Sequence, residues 1–203
     1  MKILYYTGWT LIRLISKLIF RIKIYGWEHI PQEGGFIVAS NHISYYDPPL
    51  IGSWNSRQIY FMAKKELFAY PIFGNVIRRT NALPVKRGVI DRNALEEATR
   101  VINNGFGITI FPEGTRSKNG QFLPPKPGIG MIARQAECVI LPAYINGSNR
   151  LWDCFLGKTR MSITYGKAIT SDEVKAFSAD KEGYHKLAHE VMERIKAIKA
   201  SLS

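Results

Sequence analysis

Short apolar runs of a length that suits buried strands recur along this chain, with residues of helical pattern between them. Phe36-Ile37-Val38-Ala39 follows a turn-forming Gln32-Glu33-Gly34-Gly35, and comparable runs stand at residues 59–62, 83–85, 107–111 and 139–145. Residues 91–103 read as a helix closed by Gly105. Near the carboxy end Tyr184, Leu187, Ala188, Val191, Ile195 and Ile198 share one helical face, as in a helix packed on a sheet. This alternation predicts an α/β domain. With 203 residues, 46% of them hydrophobic and 22% charged, the chain suffices for one substantial core, and no repeat, linker or low-complexity tract divides it.

The charge balance points to an anionic partner. Lys and Arg number 28 against 16 Asp and Glu, a net charge of +12, which suits nucleic acid, an acidic lipid surface or a phosphorylated substrate. Residues 1–27 hold no acidic side chain but carry Lys2, Arg13, Lys17, Arg21 and Lys23. Residues 1–23 are therefore set apart as an amphipathic helical segment, with residues 24–203 as the domain. Arg13, Lys17 and Arg21 recur at helical spacing among Leu11, Ile12, Leu14, Ile15, Leu18, Ile19 and Phe20. That pattern suits a helix lying in a membrane interface, with Tyr5, Tyr6 and Trp9 at headgroup depth. The alternative is a terminal helix docked on the domain, but apolar residues surround too much of it for one docking face. The uncharged run at residues 3–12 is far short of the roughly 20 apolar residues that span a bilayer, and no cleavage signal follows it. Cys138 and Cys154 are too few for a disulfide framework and lack metal-type spacing, so a reducing compartment is the simplest setting.

Two loops carry chemistry. Asn41-His42-Ile43-Ser44-Tyr45-Tyr46-Asp47 follows directly on a buried strand. A histidine accepts a proton from a hydroxyl only when its tautomer and ring direction are fixed, and Asp47 is placed to hold the other ring nitrogen of His42. On a regular helix the two would lie about 140° apart, so the pairing needs a loop or helix entry between them. Alternatively Asp47 is an N-cap before Pro48, and one carboxylate can do both. The second loop, Phe111-Pro112-Glu113-Gly114-Thr115-Arg116-Ser117, also ends a strand. Its glycine permits close approach, its hydroxyls can bond oxygen, and the Arg116 fork matches phosphate, the makings of an anion cradle; a surface turn is the plain alternative. Lys64, Lys65, Arg78, Arg79, Lys86, Arg87 and Lys126 lie around these loops, where strand ends can bring several to one pocket. His185 and His189 are spaced like a metal pair but have no evident third ligand, so no metal is expected.

Asn41-His42 with Asp47, then Phe-Pro-Glu-Gly-Thr-Arg-Ser about 70 residues later, resembles the 1-acylglycerol-3-phosphate acyltransferase family. Ala63-Lys64-Lys65-Glu66-Leu67, Pro71-Ile72-Phe73-Gly74, Lys126-Pro127-Gly128 and Leu141-Pro142-Ala143-Tyr144-Ile145 stand in the family's order, so the likeness covers roughly residues 24 to 147. The resemblance implies a single acyltransferase domain, a mixed sheet flanked by helices and preceded by a membrane-associated amino-terminal segment. It implies transfer of a fatty acyl chain from acyl-CoA or acyl-carrier protein to the sn-2 hydroxyl of lysophosphatidic acid, giving phosphatidic acid, with no cofactor beyond the donor. His42 would be the base and Asp47 its orienter, Glu113, Gly114, Thr115 and Arg116 would help hold the acceptor phosphate, Arg87 would also serve the acceptor, and Lys64 and Lys126 would be further substrate-binding residues. The motif ending in Arg87 usually opens with glycine; here Asn81 stands in its place, and asparagine tolerates left-handed angles. Neither cysteine lies in an activating motif, so direct transfer without an acyl-enzyme is expected, with backbone amides near the His42 loop as oxyanion donors. The expected partners are lysophosphatidic acid, the acyl thioester and an anionic membrane surface, not nucleic acid, and the expected location is the cytoplasmic face of the cell membrane, monotopic or peripheral. Rival readings are another lysophospholipid or a lyso-aminolipid as acceptor, and a non-catalytic basic protein binding membrane or nucleic acid.

Overall fold

In the computed structural model, which describes residues 2–86, 88, 89 and 91–202, every expected apolar run is a strand. They are β2 (Phe36–Ser40), β3 (Ile59–Lys64), β4 (Ala82–Val85), β5 (Gly107–Ile110) and β6 (Val139–Asn146). Two further strands, β1 (Lys23–Tyr25) and β7 (Ser162–Tyr165), were not foreseen, because three and four residues are too few to show a period. The sheet order is β1-β7-β6-β2-β5-β3-β4, and all neighbours are parallel except β6 and β7, so the sheet is mixed.

Helices cover both faces. On one side lie α1 (Lys2–Leu18), α2 (Asp47–Ser53), α3 (Pro71–Arg79) and α6 (Leu151–Phe155); on the other α4 (Arg92–Asn103), α5 (Gly128–Ala136), α7 (Ser171–Lys175) and α8 (Lys181–Ser201). Strand alternation explains the division. Phe36 and Val38 pack with Leu50, Ile51 and Cys154, whereas Ile37 and Ala39 pack with Ala98, Ile132, Leu187 and Val191. A strand covered on both faces must be apolar throughout, which is why β2 reads as an unbroken run. The α4 helix begins where expected, its first turn capped by the Asp91 side chain accepting from the Ala94 N–H.

The amino-terminal helix docks on the domain and also leaves an apolar stripe outside. Tyr5 and Trp9 are buried with Phe61, Phe68 and Ile77, while Leu11, Leu14, Ile15 and Leu18 face outward. The cationic stripe is shorter than its spacing suggests. The Arg13 guanidinium turns inward, donating to the carbonyls of Ser53 and Asn55 at the end of α2, and Arg21, though exposed, lies beyond the end of α1 with φ 52, so of the three only Lys17 stands exposed on the helix itself. Those carbonyls stand at and just past a helix C-terminus, where unpaired acceptors favour a cation. Among the described residues no helix is long and apolar enough to cross a membrane.

Candidate active site

The two loops meet because their strands are neighbours. β2 and β5 pair in parallel with Ala39 opposite Ile110, so both chains leave the sheet at the same edge, where open α/β sheets bind ligands. Asn41 fixes the first exit. Its buried amide accepts from the Ile145 N–H at 2.8 Å and donates to the Ile145 carbonyl at 3.0 Å, continuing the β2–β6 ladder with a side chain.

His42 follows, nearly buried, its ring stacked on Phe111 with centroids 4.0 Å apart and planes 17° from parallel. Its Nδ1 lies 2.8 Å from Asp47 Oδ2. The same oxygen accepts the backbone N–H groups of Ile43 and Ser44, each at 2.7 Å, and Oδ1 accepts the Ser148 hydroxyl at 2.5 Å. Surrounded by donors, this fully buried carboxylate acts as an acceptor. The shared proton therefore sits on Nδ1, and Nε2 is left with its lone pair for a substrate. Residues 41–46 form the loop and turn that the five-residue separation requires, and α2 starts at Asp47 itself. Asp47 does not cap α2, however. Its oxygens reach back to the preceding loop and across to Ser148, because Asp47 is already the first helical residue. Three of the backbone amides expected as oxyanion donors are already engaged: Asp47 takes those of Ile43 and Ser44, and Glu113 takes that of His42.

Glu113 ties the loops together. Oε1 accepts the His42 N–H at 3.0 Å and Oε2 the Leu123 N–H at 2.9 Å, while the Ser117 N–H returns a bond to the His42 carbonyl at 2.8 Å. Burial pushes the Glu113 carboxyl above its ordinary value, against the lowering effect of these N–H groups. Gly114 adopts φ +67, and a Cβ there would meet the Lys126 stem at 2.8 Å, so glycine lets that side chain lie across the loop. Thr115 is exposed, and the Arg116 guanidinium stacks on the Tyr45 ring, 3.4 Å from its centroid.

A cavity of about 380 Å³ opens beside His42. Met62, Val85, Leu95, Ile110, Ile129 and Ile132 make its wall largely apolar, and Lys86, Asp91, Thr109 and Lys126 add polar side chains to the lining. Lys64 does not line it; it ends β3 and pairs with Glu66 at 3.5 Å. Arg78 is likewise turned away, onto the Phe68 carbonyl and ring. Arg87 lies outside the described residues, between Lys86 and Gly88, which both line the cavity. Asn81 has φ 65, the left-handed angle its substitution for glycine anticipates. Both thiols are buried, that of Cys138 pushed up to about 12 by burial and that of Cys154 raised as well, so neither is an activated nucleophile.

Ser148 and Tyr45 escaped the sequence reading. Ser148 is 101 residues from the carboxylate it bonds; its position just past β6, at the edge where the other two loops emerge, was the available signal.

Comparison with known proteins gives one picture. A family model described as Acyltransferase matches residues 21–146. A Bacillus subtilis 1-acyl-sn-glycerol-3-phosphate acyltransferase is 27% identical over 192 residues, 94% of each chain. The enzyme of the same name from Limnanthes douglasii is 30% identical over 85% of this chain, which spans 62% of that longer relative. The crystal structure of the 1-acyl-sn-glycerophosphate acyltransferase of Thermotoga maritima superposes with a TM-score of 0.70 at 30% identity, covering 95% of this chain and 80% of that one.

Proposed function

This chain belongs to the 1-acylglycerol-3-phosphate acyltransferase family, and on that premise we propose that it moves a fatty acyl group from an acyl thioester to the sn-2 hydroxyl of 1-acyl-sn-glycerol 3-phosphate. The observation that carries the reading is His42, held through Nδ1 by Asp47 and lining a largely apolar cavity. His42 Nε2 removes the hydroxyl proton, the alkoxide oxygen bonds to the thioester carbonyl carbon, and the carbon–sulfur bond breaks. The departing thiolate takes the proton back from the imidazolium. The cavity receives an acyl chain, its volume falling in the ordinary range for ligand pockets. Arg116 and Lys126 attract the acceptor phosphate. Glu113, whose oxygens are both taken by backbone N–H groups, braces the loops instead of touching an anion that would repel it.

Thiol release from a long-chain acyl-CoA, measured with lysophosphatidic acid, with a phosphate-free monoacylglycerol and with no acceptor, tests this. Release should require the phosphate-bearing acceptor. Equal rates with monoacylglycerol would discard the phosphate reading, and release without any acceptor would make the protein a thioesterase. Acyl-carrier protein in place of CoA identifies the natural carrier.

Both substrates are amphiphiles, and we further propose that the enzyme works from the cytoplasmic membrane surface without spanning it, through the outward stripe of α1. Lys17 and Arg21 each contribute about 1 kcal/mol toward anionic lipid. Replacing both with Glu should therefore lower partitioning onto anionic vesicles by at least roughly thirtyfold, and unchanged binding would remove α1 as the anchor. Arg13 has to be left in place in this test, since its guanidinium holds α1 to α2.

A further inference from the structure

The edge of the sheet that carries His42 has a second apolar projection. β6 ends at Asn146, β7 runs back beside it with Ser162 opposite Asn146, and Lys23 of β1 lies opposite Ser162. The α6 helix between β6 and β7, and the exit from α1, therefore sit at the same edge as the catalytic pair. α6 is amphipathic in an unusual sense. Leu151 and Cys154 turn into the core, while Trp152 is 76% exposed and Phe155 and Leu156 stand in solvent beside it. Trp152 and Phe155 meet edge to face with centroids 5.8 Å apart, so the projection is a formed cluster.

Its surroundings are cationic. The helix's acid, Asp153, is paired with Arg150 at 2.7 Å, and Lys158 and Arg160 follow in the exposed stretch leading to β7. The Arg21 guanidinium lies 3.8 Å from where a Cβ on Gly157 would stand, so the end of α1 and the end of α6 adjoin. An aromatic cluster ringed by Lys and Arg is complementary to an anionic lipid interface, where indole rings settle at headgroup depth. With Asp153 offset by Arg150, the surroundings keep a net positive charge from Arg21, Lys158 and Arg160, which an anionic surface matches better than a protein partner of mixed charge.

We propose that α6 is a second lipid-insertion element, acting beside α1, that seats Trp152, Phe155 and Leu156 in an anionic bilayer surface and so brings the catalytic edge down to the headgroups. The proposal rests on the membrane-surface reading but concerns a different segment. Two contacts fix the tilt of a surface-bound enzyme, whereas one helix leaves it free to rotate about its own axis.

The test is sedimentation with phosphatidylglycerol–phosphatidylcholine vesicles of wild type, of Trp152→Ser/Phe155→Ser/Leu156→Ser, and of the α1 variant Leu14→Ser/Leu18→Ser. The α6 variant should partition at least tenfold less than wild type while keeping its melting temperature and its rate on detergent-dispersed substrate. In parallel, spin-labelled lipid should quench wild-type tryptophan emission, and most of that quenching should vanish in Trp152→Phe, a replacement that leaves folding and the apolar cluster intact. Wild-type binding by the α6 variant, with loss of binding by the α1 variant, would overturn this proposal and leave the α1 anchor standing. Failure of wild type to bind at all would overturn both. If light scattering showed a wild-type dimer that the α6 variant converts to monomer without change in lipid binding, the cluster would be an interface between copies, and the lipid role would fall.

Discussion

The two loops at the catalytic edge are built on opposite plans. In the loop from Asn41 to Asp47 the functional groups are inside: His42 and Asp47 are buried, and Asp47 is held by two backbone amides and the Ser148 hydroxyl. In the loop from Phe111 to Ser117 the buried polar residues, Glu113 and Ser117, tie the loop to its neighbours, while Thr115 is exposed and Arg116 is half-buried against the Tyr45 ring. The difference suits the task proposed for each loop. Proton transfer needs a fixed direction and a dry setting, which burial and a full set of hydrogen bonds supply. An anion that arrives and leaves on each turnover is better met by cations that remain hydrated when it is gone, since a buried unpaired charge is costly.

Substitutions in each loop test that contrast. His42→Ala should reduce kcat by about 10²- to 10⁴-fold, the usual weight of a general base, with circular dichroism unchanged. Appreciable activity in that folded variant would move the base elsewhere. Asp47→Asn should lower kcat on the order of a hundredfold, because an amide that presents its NH₂ to the loop disturbs the tautomer and the N–H contacts together. In the outward loop the effect should appear in binding. Arg116→Lys should raise the acceptor KM by about tenfold through loss of the planar fork, leaving the donor KM nearly unchanged. If the donor KM alone rose, this loop would serve the donor's phosphates instead. Ser148→Ala removes one donor from a carboxylate that keeps three, so kcat should fall at most about tenfold, with Ser148→Thr restoring part of it. The smallest effect concerns pH. Burial raises the Glu113 carboxyl above 4.5, so the folded state holds this proton more tightly than the unfolded chain does. Its contribution to stability is full below 4.5 and is lost as pH rises through the folded value. Wild type should therefore lose melting temperature relative to Glu113→Gln as pH rises across that range; parallel curves would show that the N–H bonds cancel the effect of burial, and a relative gain that they outweigh it.

Much of this site is legible along the chain because its main partners are local or follow strands. The apolar runs of β2 and β5 announce the two loops, and His42 with Asp47 needs only the short loop that residues 41–46 form. Other relations have no local trace. Arg13 shares helical spacing with Lys17 and Arg21, yet its guanidinium enters the domain because the carbonyls of Ser53 and Asn55 are within its reach. The strands β1 and β7 stay below the length at which periodicity is visible, and their position follows from pairing with each other and with β6.

By itself the sequence determined the alternation of strand and helix, the two motif loops, the histidine–carboxylate pair and the amphipathic ends, all properties set by neighbours within a few residues. Only the tertiary structure decided that Ser148 closes the ring around Asp47, that Asn41 bonds Ile145, that Glu113 braces one loop against the other, and that the cavity lies beside His42 between α4 and α5. The physical reason is the sheet order. Hydrophobic periodicity is a local property, but which loops share an edge is settled by pairing between strands far apart in the chain, and hydrogen bonds across that edge exist only once the order is set.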